Sequence, residues 1–338
     1  MSDKLVLVTG PSGYVGAHVF QTLLQKGYRV RGTVRSEEKA NQLKEDFAKY
    51  KSQIESFVIV QDIIKDGAFE DAVKGVDYVI HVASPFHFNI EDNKRDMLDP
   101  AVKGTRNILS AAKKEKKIKR VVVTSSFASI FDLNKGDRPG YTYNEEDWNP
   151  VTWDEACTSD NPAVVYCASK KFAEEAAFKF VKEEKPNFDI ATMCMPMVFG
   201  PIVHRIKKMD DLNTSVANIW SLVNGSAKEV PPTDFPAWVD VRDTAEAHVA
   251  ALTSAKASNQ RFLIGAGNYV NEQITAIAKK QFPNKNIPGD VSQTNAQFKG
   301  FKIDGSKAEK NLLGKPYITL QQCIVDTVTQ LYELEKTL

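Results

Sequence analysis

The chain has 338 residues, 42% of them hydrophobic and 26% charged, which excludes a disordered, collagenous or low-complexity polymer. Forty-four basic against 43 acidic side chains leave a formal charge of +1, so no long-range field favours nucleic acid or an anionic membrane surface. No run of 18 apolar residues spans a bilayer, and the amino-terminal apolar run is too short for a signal peptide, so a cytoplasmic chain with no membrane and no nucleic-acid partner is expected.

Residues 5–9 form a continuous apolar run of strand length. A glycine-rich turn follows, and then Val15, Val19, Phe20, Leu23 and Leu24 recur at helical spacing until Gly27. Further strands are expected at 29–35, 57–62, 78–83, 121–125, 189–193 and 261–264, most of them near-continuous apolar runs suited to burial on both faces. Short β-branched runs alternating with helical patterns predict an α/β fold, a Rossmann-type doubly wound parallel sheet. Beyond residue 200 the rhythm weakens and prolines punctuate the chain, which predicts a smaller, irregular carboxy-terminal substrate lobe. Helical spacing returns at 271–282 and 319–338. The expected division is 1–195 mainly for dinucleotide binding, with returning segments near 235–265, and 196–338 mainly for the substrate.

The first chemistry lies in Gly10-Pro11-Ser12-Gly13-Tyr14-Val15-Gly16, between a strand and a helix. Glycines there allow a tight turn and close backbone approach to a pyrophosphate, and the helix start offers unpaired N–H groups to the anion. The residue ending the second strand selects the nicotinamide cofactor, because a carboxylate there would hold a ribose 2′-hydroxyl and repel a 2′-phosphate. Here it is Arg35, with Lys39 a helical turn further on, so NADPH/NADP is expected. Asp62, near the end of the third strand, is a candidate acceptor for the adenine amino group or equally a turn cap.

Tyr166 and Lys170 sit at i and i+4 of a helical pattern and therefore share a face. Matching a phenol of pKa near 10 to pH 7 takes about 4 kcal/mol. A cation at about 4 Å with an effective dielectric near 20 supplies that much. Ser125 and Ser126, ending a central strand, complete a candidate constellation for proton transfer to a carbonyl oxygen. Cys157, Cys167, Cys194 and Cys323 are scattered, and no His/Cys/carboxylate spacing suggests a metal. His248 lies in a helical segment and is expected to be a satisfied helix histidine. Tyr143, Trp148 and Trp153 are expected to be scaffold.

Together these residues resemble the extended short-chain dehydrogenase/reductase family. The resemblance runs through Gly10, Gly13 and Gly16, Asp62-Ile63, His81 to Ser84, Thr124 to Ser126, Tyr166 and Lys170, Phe199 to Pro201, and Val239 to Asp243. Within the family, Val34 to Ser36 with Lys39, Ala83 to Phe86 and Asn149 to Trp153 look like the yeast NADPH-dependent methylglyoxal and aldehyde reductases, relatives of dihydroflavonol reductases. The resemblance implies a carbonyl reductase with a catalytic Ser126, Tyr166 and Lys170. Tyr166 would protonate the carbonyl oxygen and Ser126 would hydrogen-bond it, while Lys170 held the ribose and depressed the tyrosine pKa. It adds Ala83, Ser84, Ser125, Pro196 and Val198 to the cofactor site. Phe86, Phe131 and Met197 are added as an apolar substrate mouth without fixed charge, suited to small-molecule carbonyl compounds. One departure is Met195, where the family usually carries the proline found here at 196. Two other readings stay open: a nucleotide-sugar epimerase or dehydratase, for which the basic stretch 205–208 offers a phosphate clamp, and a non-catalytic NADP sensor.

Overall fold

The computed structural model describes residues 3–84 and 91–338. Strand β1 (Leu5–Thr9) leads into helix α1 (Tyr14–Gln25), then β2 (Arg29–Val34), α2 (Glu37–Asp46), β3 (Ile54–Ile59) and β4 (Tyr78–His81). After the undescribed residues come α3 (Asp99–Lys114), β5 (Arg120–Ser126), a two-residue β6 (Thr142–Tyr143), α4 (Trp153–Thr158), α5 (Pro162–Glu184) and β7 (Asp189–Met195). The remainder holds β8 (Met197–Phe199), α6 (Thr214–Val223), β9 (Ala237–Asp240), α7 (Val241–Ala251), β10 (Gln260–Leu263), β11 (Gly267–Asn268), α8 (Asn271–Gln281), β12 (Lys302–Ile303), the single turn α9 (Ser306–Ala308) and α10 (Leu320–Thr337).

Seven strands form one parallel sheet in the order β3-β2-β1-β4-β5-β7-β10. Pleating sends alternate side chains to opposite faces. Val6 and Val8 of β1 therefore join a core with Val19 and Phe20 of α1 and Val249 of α7, while Leu5 and Leu7 join one with Ile108 of α3 and Ala177 and Phe180 of α5. All four β1 side chains are at most 5% exposed, each contributing about 1.5–3 kcal/mol by burial, and that is why this strand reads as an unbroken apolar run. The strand order reverses between β1 and β4, the place in such sheets where a crevice opens beyond the carboxyl ends of the strands.

The carboxy-terminal part is more regular than expected. A three-stranded sheet, β11-β9-β8, packs with α6, α8 and α10. The third strand starts at Ile54 and ends at Ile59, so Asp62 lies beyond it instead of ending it. As an edge strand, β3 tolerates Glu55 and Ser56, which interrupt the apolar run that placed the strand later. Helix α3 buries Gly104, Thr105, Ile108 and Ala112 against the sheet and α5.

Candidate active site

At the end of β1 the chain turns at Gly10, whose φ of 68° is left-handed and which lies so close to β4 that an added Cβ would stand 3.3 Å from the Ala83 backbone. Gly13 N–H donates to the Gly10 carbonyl at 3.2 Å and caps α1 without a side chain. The amino-terminal N–H groups of α1 thus face the crevice, the arrangement that binds anions. Thr9, which the sequence reading overlooked, organises the opposite wall. Its hydroxyl accepts from Val82 N–H (3.1 Å) and Ala83 N–H (3.0 Å) and is 2.9 Å from His81 Nδ1. Burial holds the His81 pKa down at about 3, so the ring stays neutral.

The crevice is a cleft of about 490 Å³. Its floor is the turn, with Gly10, Ser12, Gly13, Tyr14, Val15 and Gly16. Arg35 and Lys39 stand at one end and Ile63, Ala83 and Ser84 at the other. Ser36 caps α2 by accepting from Lys39 N–H at 3.3 Å, which sets the lysine one turn from Arg35. Among the described residues neither cation makes an ion pair and no carboxylate lines the cleft. Tyr14 is committed elsewhere, since its hydroxyl donates to the Gly200 carbonyl at 2.8 Å. Asp62 is exposed, lies outside the cleft lining, and caps the turn by accepting from Ile64 N–H at 2.9 Å.

From Ser84 the site continues to α5. Asn161 and Pro162 start this helix, the Asn161 side chain accepting from Ala163 N–H at 3.0 Å, so Tyr166 and Lys170 fall one turn apart on its inner face. Lys170 Nζ donates to Ser84 Oγ at 2.7 Å and stands 5.4 Å from the centre of the Tyr166 ring. Burial lowers the Lys170 pKa to about 8. Burial likewise pushes the Tyr166 phenol up to about 12, and a hydrogen bond with Ser126 opposes it. With burial the largest influence on it, the phenol stays protonated at neutral pH.

The two adjacent serines separate by strand pleating. Ser125 is 7% exposed and donates to Glu174 on the buried side, whereas Ser126 points to Tyr166. Ser126 pairs in register with Met195, and Pro196 occupies the single-residue break between β7 and β8. Val198 is buried, and its carbonyl accepts from Ser215 Oγ at 2.6 Å.

The expected mouth residues part company. Phe86 lies outside the described residues. Phe131 is 7% exposed and locked into an aromatic cluster, its ring centre 5.1 Å from that of Phe301, 5.5 Å from Tyr143 and 5.6 Å from Phe235. Met197 lines a pocket of about 290 Å³ together with Phe235, Tyr269 and Asn271. Asp234 lines it too, so a carboxylate borders this pocket.

The remaining candidates resolve as structure. His248 is buried, with Nδ1 2.7 Å from the Thr244 carbonyl and Nε2 2.9 Å from Thr124 Oγ1. Arg205 pairs with Asp46 and Glu45 at the end of α2, Lys207 with Glu38 and Lys208 with Asp210. That basic stretch is therefore neutralised. Tyr143 is buried in the aromatic cluster, and Trp153 packs edge-on against Phe172 at 4.9 Å. Among the described residues no group of histidines, cysteines and carboxylates could hold a metal, and no helix is long and apolar enough to cross a membrane.

Comparison with known proteins agrees with this geometry. The profile of the NAD dependent epimerase/dehydratase family matches residues 6–265. An uncharacterized oxidoreductase of Schizosaccharomyces pombe is 49% identical, with 98% of both chains covered. The NADPH-dependent methylglyoxal reductase GRE2 of Saccharomyces cerevisiae is 37% identical, again with 98% of both chains covered. The crystal structure of yeast methylglyoxal/isovaleraldehyde reductase Gre2 complexed with NADPH superposes with a TM-score of 0.88 at 34% identity, covering 99% of this chain and 100% of that one.

Proposed function

The chain belongs to the NAD dependent epimerase/dehydratase family, and from that premise we propose that it is an NADPH-dependent carbonyl reductase acting on small aldehydes and ketones. The observation that carries this reading is the continuity of the site. The cleft that holds an anion-binding helix start and two uncommitted cations is bordered by Ser84, which accepts from Lys170, and that lysine neighbours a protonated tyrosine bonded to a serine. A glycine turn whose N–H groups face the crevice fits a pyrophosphate, and Arg35 with Lys39 fits a 2′-phosphate that a carboxylate would repel.

When bound, the dinucleotide supplies the hydride. The protein's part is to orient and to move a proton. Lys170 holds the ribose, Ser126 donates a hydrogen bond to the substrate carbonyl oxygen, and Tyr166 delivers its phenolic proton to that oxygen. A phenol held near 12 keeps that proton until the carbonyl oxygen becomes basic enough to take it. Residues 1–195, with the returning segments near 235–265, serve mainly the cofactor, and 196–338 mainly the substrate. A nucleotide-sugar epimerase is less well supported, because the residues offered as its phosphate clamp are already paired with the acids of α2 and its flank.

The test is a panel of aldehydes, diketones, aryl ketones and keto esters assayed with NADPH and with NADH by loss of absorbance at the dihydronicotinamide band. Turnover with NADPH at ten times or more the kcat/KM for NADH is expected. Equal use of both cofactors, or no carbonyl reduction across the panel, would overturn the proposal.

A further inference from the structure

Glu174 lies eight residues beyond Tyr166 and four beyond Lys170, on the same face of α5, and is 1% exposed. It is the meeting point of four elements. Its Oε2 accepts from Ser125 Oγ of β5 at 2.7 Å and from Ser129 Oγ, just past β5, at 2.6 Å. Its Oε1 accepts from Thr192 Oγ1 of β7 at 2.5 Å and from Arg261 Nε of β10 at 2.8 Å. The Arg261 guanidinium is itself fixed, donating to the Glu145 and Asp147 carbonyls at 2.8 Å each and lying 3.5 Å from the centre of the Trp148 ring. Burial pushes the Glu174 carboxyl towards protonation, but Arg261 and the hydroxyl donors overcome it and hold the pKa below the usual carboxylate range.

A buried ion pair of this kind is not explained by stability, because well-packed apolar residues in the same volume commonly do as well or better. What the pair does supply is geometry. Ser125 and Ser129 bracket Ser126: one precedes it in the strand, and the other sets its hydroxyl 2.7 Å from the Ser126 carbonyl and 2.6 Å from Glu174 Oε2, its one proton shared between these two acceptors. The Ser126 side chain thereby gains a backbone pinned from both sides, and its hydroxyl accepts from Ala128 N–H at 3.2 Å. The same carboxylate sits on the helix that carries Tyr166 and Lys170, so a single group ties the serine's strand to the tyrosine's helix.

We infer that Glu174, acting through Ser125 and Ser129, is a positioning residue that sets the Ser126 hydroxyl against the substrate carbonyl. The inference rests on the carbonyl-reductase reading above. Glu174→Gln strands the buried Arg261 and endangers the fold, so the test removes a hydroxyl link and leaves the ion pair in place. Ser129→Ala, made in the full chain, is expected to lower kcat by roughly ten- to a hundredfold, the scale of a misplaced catalytic group, with the dissociation constant for NADPH within about twofold of wild type. In a Ser126→Ala background the same substitution is expected to lower kcat no further, because a residue that acts only through Ser126 has nothing left to position.

Wild-type kcat in Ser129→Ala, or an equal loss in both backgrounds, would overturn the inference, the second outcome marking general loosening of the fold. If wild type and Ser126→Ala behave as a reductase and its impaired variant while Ser129→Ala is unaffected, this inference alone fails. If the wild type reduces no carbonyl compound with NADPH, the functional reading fails and takes the inference with it.

Discussion

The glycine turn separates two roles that the sequence motif merges. An added Cβ at Gly16 would stand 2.1 Å from the Gly10 carbonyl oxygen, 2.9 Å from its carbon and 3.2 Å from Pro11 Cα, all backbone atoms that no rotamer change can move aside. Turn and helix must part by roughly 1 Å, and forced overpacking of this kind costs about 3 kcal/mol or more when the backbone must yield. The helix preference of alanine over glycine returns about 1 kcal/mol. For a chain of this length the net loss of about 2 kcal/mol lowers Tm by about 3 °C. At Gly13, by contrast, the nearest atom to an added Cβ is the Gly10 oxygen at 3.6 Å, an ordinary contact, and the backbone is extended with φ −90°. Gly13→Ala is therefore expected to fold with a Tm within about 1 °C of wild type while binding NADPH at least tenfold more weakly, because the methyl occupies the approach of the pyrophosphate. Thermal melts of the ligand-free variants, paired with fluorescence titration of NADPH, measure both effects. A Gly16→Ala variant as stable as wild type, or a Gly13→Ala variant with unchanged NADPH affinity, would refute the assignment of fold to one glycine and ligand to the other.

Arg35→Asp removes a charge-assisted contact worth about 1.5–3 kcal/mol and places a carboxylate near a doubly charged phosphate, adding about 2 kcal/mol of repulsion at solvent dielectric. NADPH affinity is expected to fall by several hundred- to several thousandfold and NADH affinity to change by less than about threefold, as competition titrations will read. Tyr166→Phe deletes the transferred proton and is expected to lower kcat by about 10²–10⁴ with NADPH binding intact; a variant retaining near-normal kcat would move the proton donor elsewhere. The pH profile follows from Lys170, which burial brings down to about 8. As pH rises through that value the ammonium loses its proton before Tyr166, near 12, does. kcat/KM for NADPH, which reports the free enzyme, should be level below pH 7.5 and fall tenfold per unit above about 8. A profile level to pH 10 would remove Lys170 from the mechanism.

What the sequence determined by itself is what backbone periodicity determines. Tyr166 and Lys170 share a face because an α-helix repeats every 3.6 residues. The glycines of the turn announce a bend because a positive φ, as at Gly10, suits no other residue as well, and the runs of β1, β5 and β7 read as buried strands because a parallel sheet covered on both faces favours apolar side chains at most positions. These are properties of short stretches, and they set the fold class, the glycine turn and the pairing of Tyr166 with Lys170 on one helix face. Tertiary structure alone decided whatever depends on distant partners and on burial. It separated Ser126 from Ser125 by giving the latter a carboxylate 49 residues away, and it paired Arg205 with Glu45, 160 residues earlier, and Lys207 with Glu38, 169 residues earlier. Phe131 entered a cluster of rings, and Asp234 entered the pocket of Met197. Burial raises the Tyr166 phenol, because desolvation is the sum of every atom packed around a group, and no spacing between two residues encodes that sum.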